Sequence, residues 1–371
     1  MKNNEPKSSI EELKKSINGS PLTRETLEHF IDEAQRITAG QQLILNAAVK
    51  NAKRVTMFDS HFYDVVLQTG ERVIYPSSTT ILGIINKPWL VHMMKQLGVE
   101  EMEERLRSAL AAGALVHYAT MRMDQGWAIL YRYPEEQNPD PELTEQNIRI
   151  EEICKSAGVP YYIVRNQEAM VMIERYERIV DVLKPELLGI EQIVVSVKHR
   201  YAGTLDRRWM VKAGEYPLNG SKTVVIPKDG TAIFDLKTGA EDAGYPKQVA
   251  SYAEAVEESL GEQVDYCITG YVDAKTRGEN EGIRVIVACR DEWKKDFEGF
   301  LHAHWLWYEQ NADKIPKVRD FRSVIYRPVA NVIQHGDVLP NKLAREKLME
   351  AINADSELTA KLEASTKKRK A

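Results

Sequence analysis

The stretch Thr231-Ala232-Ile233-Phe234-Asp235-Leu236-Lys237-Thr238-Gly239 carries the reading on which the fold of this 371-residue chain turns. Its apolar start, residues 231–234, reads as a strand, and side chains two apart on a strand leave the same face. Asp235 and Lys237 therefore project together near a strand end. An acid and a base held side by side can bind a divalent cation and steer a water, but Asp-x-Lys also arises by chance as a solvated surface pair. The flanking sequence decides between the two.

On the N-terminal side, residues 223–227 and 231–237 read as a hairpin turning at Lys228-Asp229-Gly230, preceded by a polar connection over 212–222. Before that lies a second hairpin. Residues 191–200 and 205–211 form its arms, with a turn at 201–204 and Gly203 close to the bend. Asp206 opens the second arm, crowded by Lys198, His199, Arg200, Arg207 and Arg208. This is either a solvated charged hairpin or a metal-binding aspartate inside a phosphate-attracting patch.

On the C-terminal side, residues 245–260 read as an amphipathic helix with Gln248 and Tyr252 one turn apart. Strands follow at 264–272 and 283–289, then a helix at 291–310. Its aromatic stripe of Trp293, Phe297, Phe300, Leu301, Trp305 and Tyr308 reads as core rather than as a base-stacking platform.

Further out, residues 1–60 read as a helical appendage, with Ser20-Pro21 as a helix start. A hairpin follows at 62–74, turning at Thr69-Gly70. The hydroxyl cluster at 77–80 reads as the cap of a following helix. Residues 100–123 form a long helix on which Gly113 and His117 share a face, the glycine allowing another element to approach. His117 is a core or boundary residue or a ligand. The acidic, proline-rich loop at 133–146 suits an insertion or lid, and helices follow at 147–157 and 167–183. Beyond 312 come a strand at 321–329, a charged helix at 341–364 and a basic tail at 367–370.

Composition narrows the class. With 55 acidic and 50 basic residues the net charge is −5, which does not announce nucleic-acid binding, although a local basic patch suffices for phosphates. No apolar run reaches the length of about 18 residues that spans a bilayer, so no membrane association and a cytoplasmic location are expected. Cys154, Cys267 and Cys289 form no CxxC and read as reduced core residues. No GxxxxGK[ST] loop is present, so no nucleotide cofactor or ATP-driven step is expected.

Gly113-x-x-x-His117, Glu191 at a strand start, Gly203-x-x-Asp206, Asp235-x-Lys237 and Gln248-x-x-x-Tyr252, in that order, resemble the motif series of RecB-family nucleases in the PD-(D/E)XK superfamily. The resemblance covers about residues 75–310 and is strongest to compact phage-type and mitochondrial genome maintenance exonucleases. It implies an α/β fold with a mixed central sheet flanked by helices. The expected domains are a 1–60 appendage, a 61–312 core with a helical insertion at 124–185, and a 313–371 extension.

The resemblance implies a metal-dependent, ATP-independent DNA exonuclease acting on single-stranded ends in recombination, repair or phage replication. The alternatives are a structure-specific endonuclease with the same site and a catalytically silent DNA-binding or assembly module. Mg²⁺ or Mn²⁺ is implied, held by His117, Asp206, Asp235 and the Leu236 carbonyl, with Glu191 as a less direct ligand. Lys237 is implied to orient or activate water, supported by Gln248 and Tyr252. Lys198, Arg200, Arg207 and Arg208 are implied DNA contacts, and a recombination or single-strand-binding protein is an expected partner.

Overall fold

Strand β10, Gly230–Thr238 in sequence order, has both edges occupied, by β7 (Tyr201–Val211) antiparallel and by β11 (Tyr266–Val272) parallel. A parallel neighbour needs a crossover, and α6 (Tyr245–Leu260) supplies it. The computed structural model describes residues 46–57, 60–85, 87–132, 141–220, 222–239, 241–275 and 281–317. The chain divides into two units, 1–316 and 317–371, and all described residues but Lys317 fall in the first.

In chain order that unit runs β1 (Val49–Met57), β2 (Ser60–Leu67), β3 (Arg72–Pro76), α1 (Ser78–Leu82), α2 (Pro88–Leu97) and α3 (Val99–Asp124). Then come β4 (Ala128–Tyr131), α4 (Pro141–Ala157), β5 (Tyr161–Val164), α5 (Gln167–Leu183) and β6 (Glu186–Ser196). After β7 follow β8 (Gly214–Asn219), β9 (Lys222–Ile226), β10, α6, β11, β12 (Ile283–Cys289) and α7 (Arg290–Asn311). The central five-stranded sheet is mixed, in the order β12-β11-β10-β7-β6.

Alternation along β10 sorts its side chains between two layers. Phe234 and Leu236 face α3 and α5, where Phe234 stacks on Trp209 at 4.0 Å beside Val116, Ile173 and Ile179. Ile233 faces α6 and α7, against Val249, Val256, Trp293 and Phe300. A second sheet, ordered β1-β2-β3, packs Val49, Ala52, Tyr63 and Val65 against Ile193, Val195 and Ala202 of the β6–β7 hairpin. The mixed α/β architecture is as expected from sequence, and among the described residues no helix is long and apolar enough to cross a membrane.

Several local expectations hold. Ser77 caps α1 by accepting from the Thr80 N–H, β2 and β3 pair around Thr69-Gly70, and α5 and α6 have the expected bounds. Cys154, Cys267 and Cys289 are free thiols, the first two buried.

Others are corrected. Residues 49–57, read as part of a helical appendage, form β1, because their backbone is taken up in register by β2. The anticipated hairpin between 223–227 and 231–237 does not form. With both edges of β10 filled, β9 pairs instead with β8, which occupies the supposed polar connection. Helix α4 starts at Pro141, inside the expected 133–146 loop, whose residues 133–140 lie outside the described ones. On α7 the buried face runs through Trp293, Phe297, Phe300, Ala303 and Trp307, while Trp305 points outward at 65% exposure. The expectations for 1–45 and 318–371 also lie outside the described residues.

The turn of the β6–β7 hairpin falls at 197–200, not at 201–204, and Gly203 is inside β7. Its glycine serves close approach: a Cβ there would run into the Tyr252 ring of α6. Gly203→Ala is therefore expected to lower the unfolding free energy by about 1–3 kcal/mol and to displace Tyr252. A thermal midpoint equal to wild type would contradict this packing.

Candidate active site

The site forms where the central strands part. The β7–β10 ladder ends at the pair Arg207–Phe234. Past it the Leu236 N–H donates to Asp206 Oδ2 at 2.8 Å, a side chain replacing a ladder partner. On the other edge of β7, pairing passes from Ile190–Arg207 to Gln192–Leu205, skipping Glu191 and Asp206. Glu191 takes φ +47°, a left-handed conformation that costs a non-glycine residue about 1–3 kcal/mol.

Helix α3 closes on this opening from the side. At Gly113 a Cβ would stand 2.8 Å from Thr238 Oγ1, so the glycine admits the end of β10, as anticipated. One turn on, His117 Nδ1 lies 3.4 Å from Asp206 Oδ2. Ligand atoms of His117, Glu191 and Asp206 all lie within 4.8 Å of one another. Asp235 stands outside that cluster, its Oδ2 meeting Lys237 Nζ at 2.7 Å as an ion pair whose angle leaves the buried oxygen without a hydrogen bond.

Lys237 is fixed from several sides. Its ammonium donates to Gln248 Oε1 at 3.3 Å and lies 4.6 Å from the Tyr245 ring centroid. Gln248 Nε2 in turn donates to the Tyr252 hydroxyl at 2.8 Å, and Tyr252 rests on Gly203. Thus Gly203, Tyr252, Gln248, Lys237 and Asp235 form one chain of contacts. These residues and the acid cluster share a cavity of about 280 Å³, whose other wall is β1 and β2, with Arg54, His61 and Tyr63.

Burial sets the protonation of the site. It raises Glu191 to about 8, with the Asp206 charge adding to the effect. It raises Asp235 to about 6, against the pull of Lys237. Burial also lowers His117 despite Asp206, keeping the imidazole neutral. Burial alone would lower Lys237, but Asp235 and Asp206 outweigh it and hold the ammonium charged. Two carboxylates and a neutral imidazole converging within 4.8 Å, beside an acid with unspent acceptor capacity, fit a divalent cation that prefers oxygen donors.

A raised carboxyl stabilises the fold only while protonated. Metal-free protein should therefore lose stability as pH climbs from about 4.5 through about 8, the window set by Glu191. Glu191→Gln is expected to flatten that slope and, at pH 9 in chelator, to exceed wild type by about 2–4 kcal/mol. Wild-type stability constant from pH 5 to 9 would contradict it.

The basic residues separate. Arg207, expected on DNA, has no exposed surface: it donates to Asp124 Oδ2 at 2.6 Å and Thr120 Oγ1 at 2.9 Å, and its guanidinium lies over Tyr176 at 4.5 Å. It is a buried counter-charge beneath the acids and not, as expected from sequence, a phosphate contact. Arg208 is mostly covered and pairs with Glu262. Lys198 and Arg200 are exposed on the 197–200 turn, at the far end of the hairpin from Asp206, and neither lines the cavity. Arg54, which lines it together with Lys237, falls in the stretch read as an appendage. Asp124 and Tyr176, which hold Arg207, also escaped the sequence reading. Helical spacing after His117 was the only signal for Asp124, and nothing local marked Tyr176.

No family model matches the chain, and no curated protein matches it. Among solved structures, the crystal structure of an alkaline exonuclease, LHK-Exo, from Laribacter hongkongensis aligns over 53% of this chain and 98% of its own. The identity is 12% and the TM-score 0.22. LHK-Exo in complex with dAMP aligns over 54% and 93%, again at 12% identity and a TM-score of 0.22. A likeness at that TM-score carries no argument about this chain, and the functional reading rests on the cavity itself.

Proposed function

We propose that the chain is a divalent-metal-dependent nuclease with a PD-(D/E)XK-type core that hydrolyses DNA phosphodiester bonds, working from single-stranded ends. The observation that carries this reading is the convergence of His117, Glu191 and Asp206 beside an ion-paired Lys237 in one cavity. Two carboxylates with an imidazole suit Mn²⁺ as well as Mg²⁺. His117, Glu191 and Asp206 hold the cation, with Asp235 at its border. When bound, the cation lowers the pKa of a coordinated water and offsets charge developing on the phosphate.

The remaining work falls to the chain's own groups. Lys237, kept charged by Asp235 and aimed by Gln248, orients the attacking water and donates to the phosphate oxygen as charge builds there. Neutral His117 leaves its ring nitrogen free to act as a ligand. Arg54, half-buried on the opposite wall, faces the phosphate from the other side.

Linear and circular single-stranded DNA, incubated with the protein and Mn²⁺, separate the modes of attack. The reading expects the linear strand to be shortened from an end while the circle survives. Opened circles would make the protein an endonuclease.

A further inference from the structure

Helix α3 presents more to the cavity than its histidine. Ala114, His117, Tyr118 and Met121, spaced as one helix face, all line it. Tyr118 is the aromatic on that face and the immediate neighbour of His117. It is half-exposed, yet held in one orientation. Arg122, one turn further on, donates to its hydroxyl from both Nε and Nη2 at 3.1 Å. The Arg122 guanidinium is itself held over Trp127, 4.4 Å from the ring centroid, and is 8% exposed. Tyr162 packs against the Tyr118 ring edge-to-face at 4.9 Å.

A partly exposed tyrosine normally keeps rotamer freedom, which a ligand must then remove at an entropic cost. Here two hydrogen bonds and a ring contact have removed it in advance. The Arg122 guanidinium also lies 5.1 Å from the Tyr118 ring centroid, so the cavity lining holds a fixed aromatic ring next in sequence to a ligand of the cluster suited to phosphate chemistry.

We propose that Tyr118 is a nucleobase subsite: the base of the nucleotide whose phosphate is attacked packs on its ring. The subsite rests on the nuclease reading above and adds to it how a strand is gripped. A π surface accepts every base, so the contact gives affinity and register without sequence preference. Arg122 is the positioning residue, acting through Tyr118.

Single-stranded oligonucleotides with a natural nucleotide or a reduced abasic residue at either end test this, with wild type, Tyr118→Leu and Tyr118→Phe. Base–aromatic stacking predicts that Tyr118→Leu raises KM for natural DNA about tenfold with kcat little changed. It also predicts that wild type discriminates against the abasic end while Tyr118→Leu does not. Tyr118→Phe keeps the ring but loses the two Arg122 hydrogen bonds, so its discrimination should fall between wild type and Tyr118→Leu, which separates lost stacking from a damaged fold. As a readout independent of cleavage, terminal 2-aminopurine should be quenched by wild type and Tyr118→Phe in chelator, but not by Tyr118→Leu. Cleavage by wild type with the same natural-to-abasic ratio in Tyr118→Leu would overturn the subsite and leave the nuclease reading standing. Neither cleavage nor quenching by wild type would overturn both.

Discussion

Lys237→Met is expected to lower DNA cleavage in saturating Mn²⁺ by about a hundred- to ten-thousandfold, the range set by losing a positioned proton-handling and charge-stabilising group. Most of the loss should fall on kcat, because the ammonium is held inside the cavity by Asp235 and Gln248 rather than reaching outward for substrate. The fold should survive. Without its ion pair Asp235 is left to its burial, which already raises it to about 6, so it takes up a proton instead of remaining a buried anion. A steady-state assay beside a thermal melt checks both halves. Activity within a few-fold of wild type in a folded variant would remove Lys237 from the chemistry.

Arg207→Met should act on stability instead, lowering the unfolding free energy by about 3–5 kcal/mol, as breaking a buried ion pair does when one charge is left behind. The charge left behind is Asp124, which also accepts from the Tyr176 hydroxyl at 2.9 Å. Replacing both partners, Arg207→Met with Asp124→Asn, should recover part of the loss, since position 124 then no longer holds a buried charge without its partner. The neighbouring Arg208→Ala breaks a pair with the largely exposed Glu262 and should cost no more than about 1 kcal/mol. Urea unfolding of the variants measures these differences. Equal effects at 207 and 208 would contradict the buried counter-charge.

The contrast between these two arginines shows where the sequence was legible. Asp235-x-Lys237 could be read because strand alternation puts both on one face, and Gln248-x-x-x-Tyr252 because helical spacing does the same. Gly113 was read correctly as a point of close approach. Gly203 was misread as a turn residue, since nothing local distinguishes a glycine that bends the chain from one that makes room for a tyrosine 49 positions later. Arg207 and Arg208 are adjacent and chemically alike. One is buried and one mostly covered at the surface because consecutive strand residues face opposite sides of the sheet.

What remained hidden depended on long-range pairing. Arg54 lies in a strand with little apolar alternation, and only its register with β2 brings it opposite Tyr63 and onto the cavity wall. Strand β9 followed a turn that looked sufficient for a hairpin with β10. The outcome was set by β7 and β11 filling both edges of β10, which a local pattern does not reveal. The skipped Glu191–Asp206 pair and the left-handed backbone at Glu191 are likewise products of three strands meeting.

On the function proposed above, the His117, Glu191 and Asp206 cluster makes this cavity a metal-dependent phosphodiesterase centre. Release of label from end-labelled single-stranded DNA in Mn²⁺, compared between wild type and Asp206→Asn, tests it most directly. The expected result is release by wild type that stops on adding chelator, with Asp206→Asn at background. Equal release by the two proteins, or none from wild type in either Mn²⁺ or Mg²⁺, would contradict it.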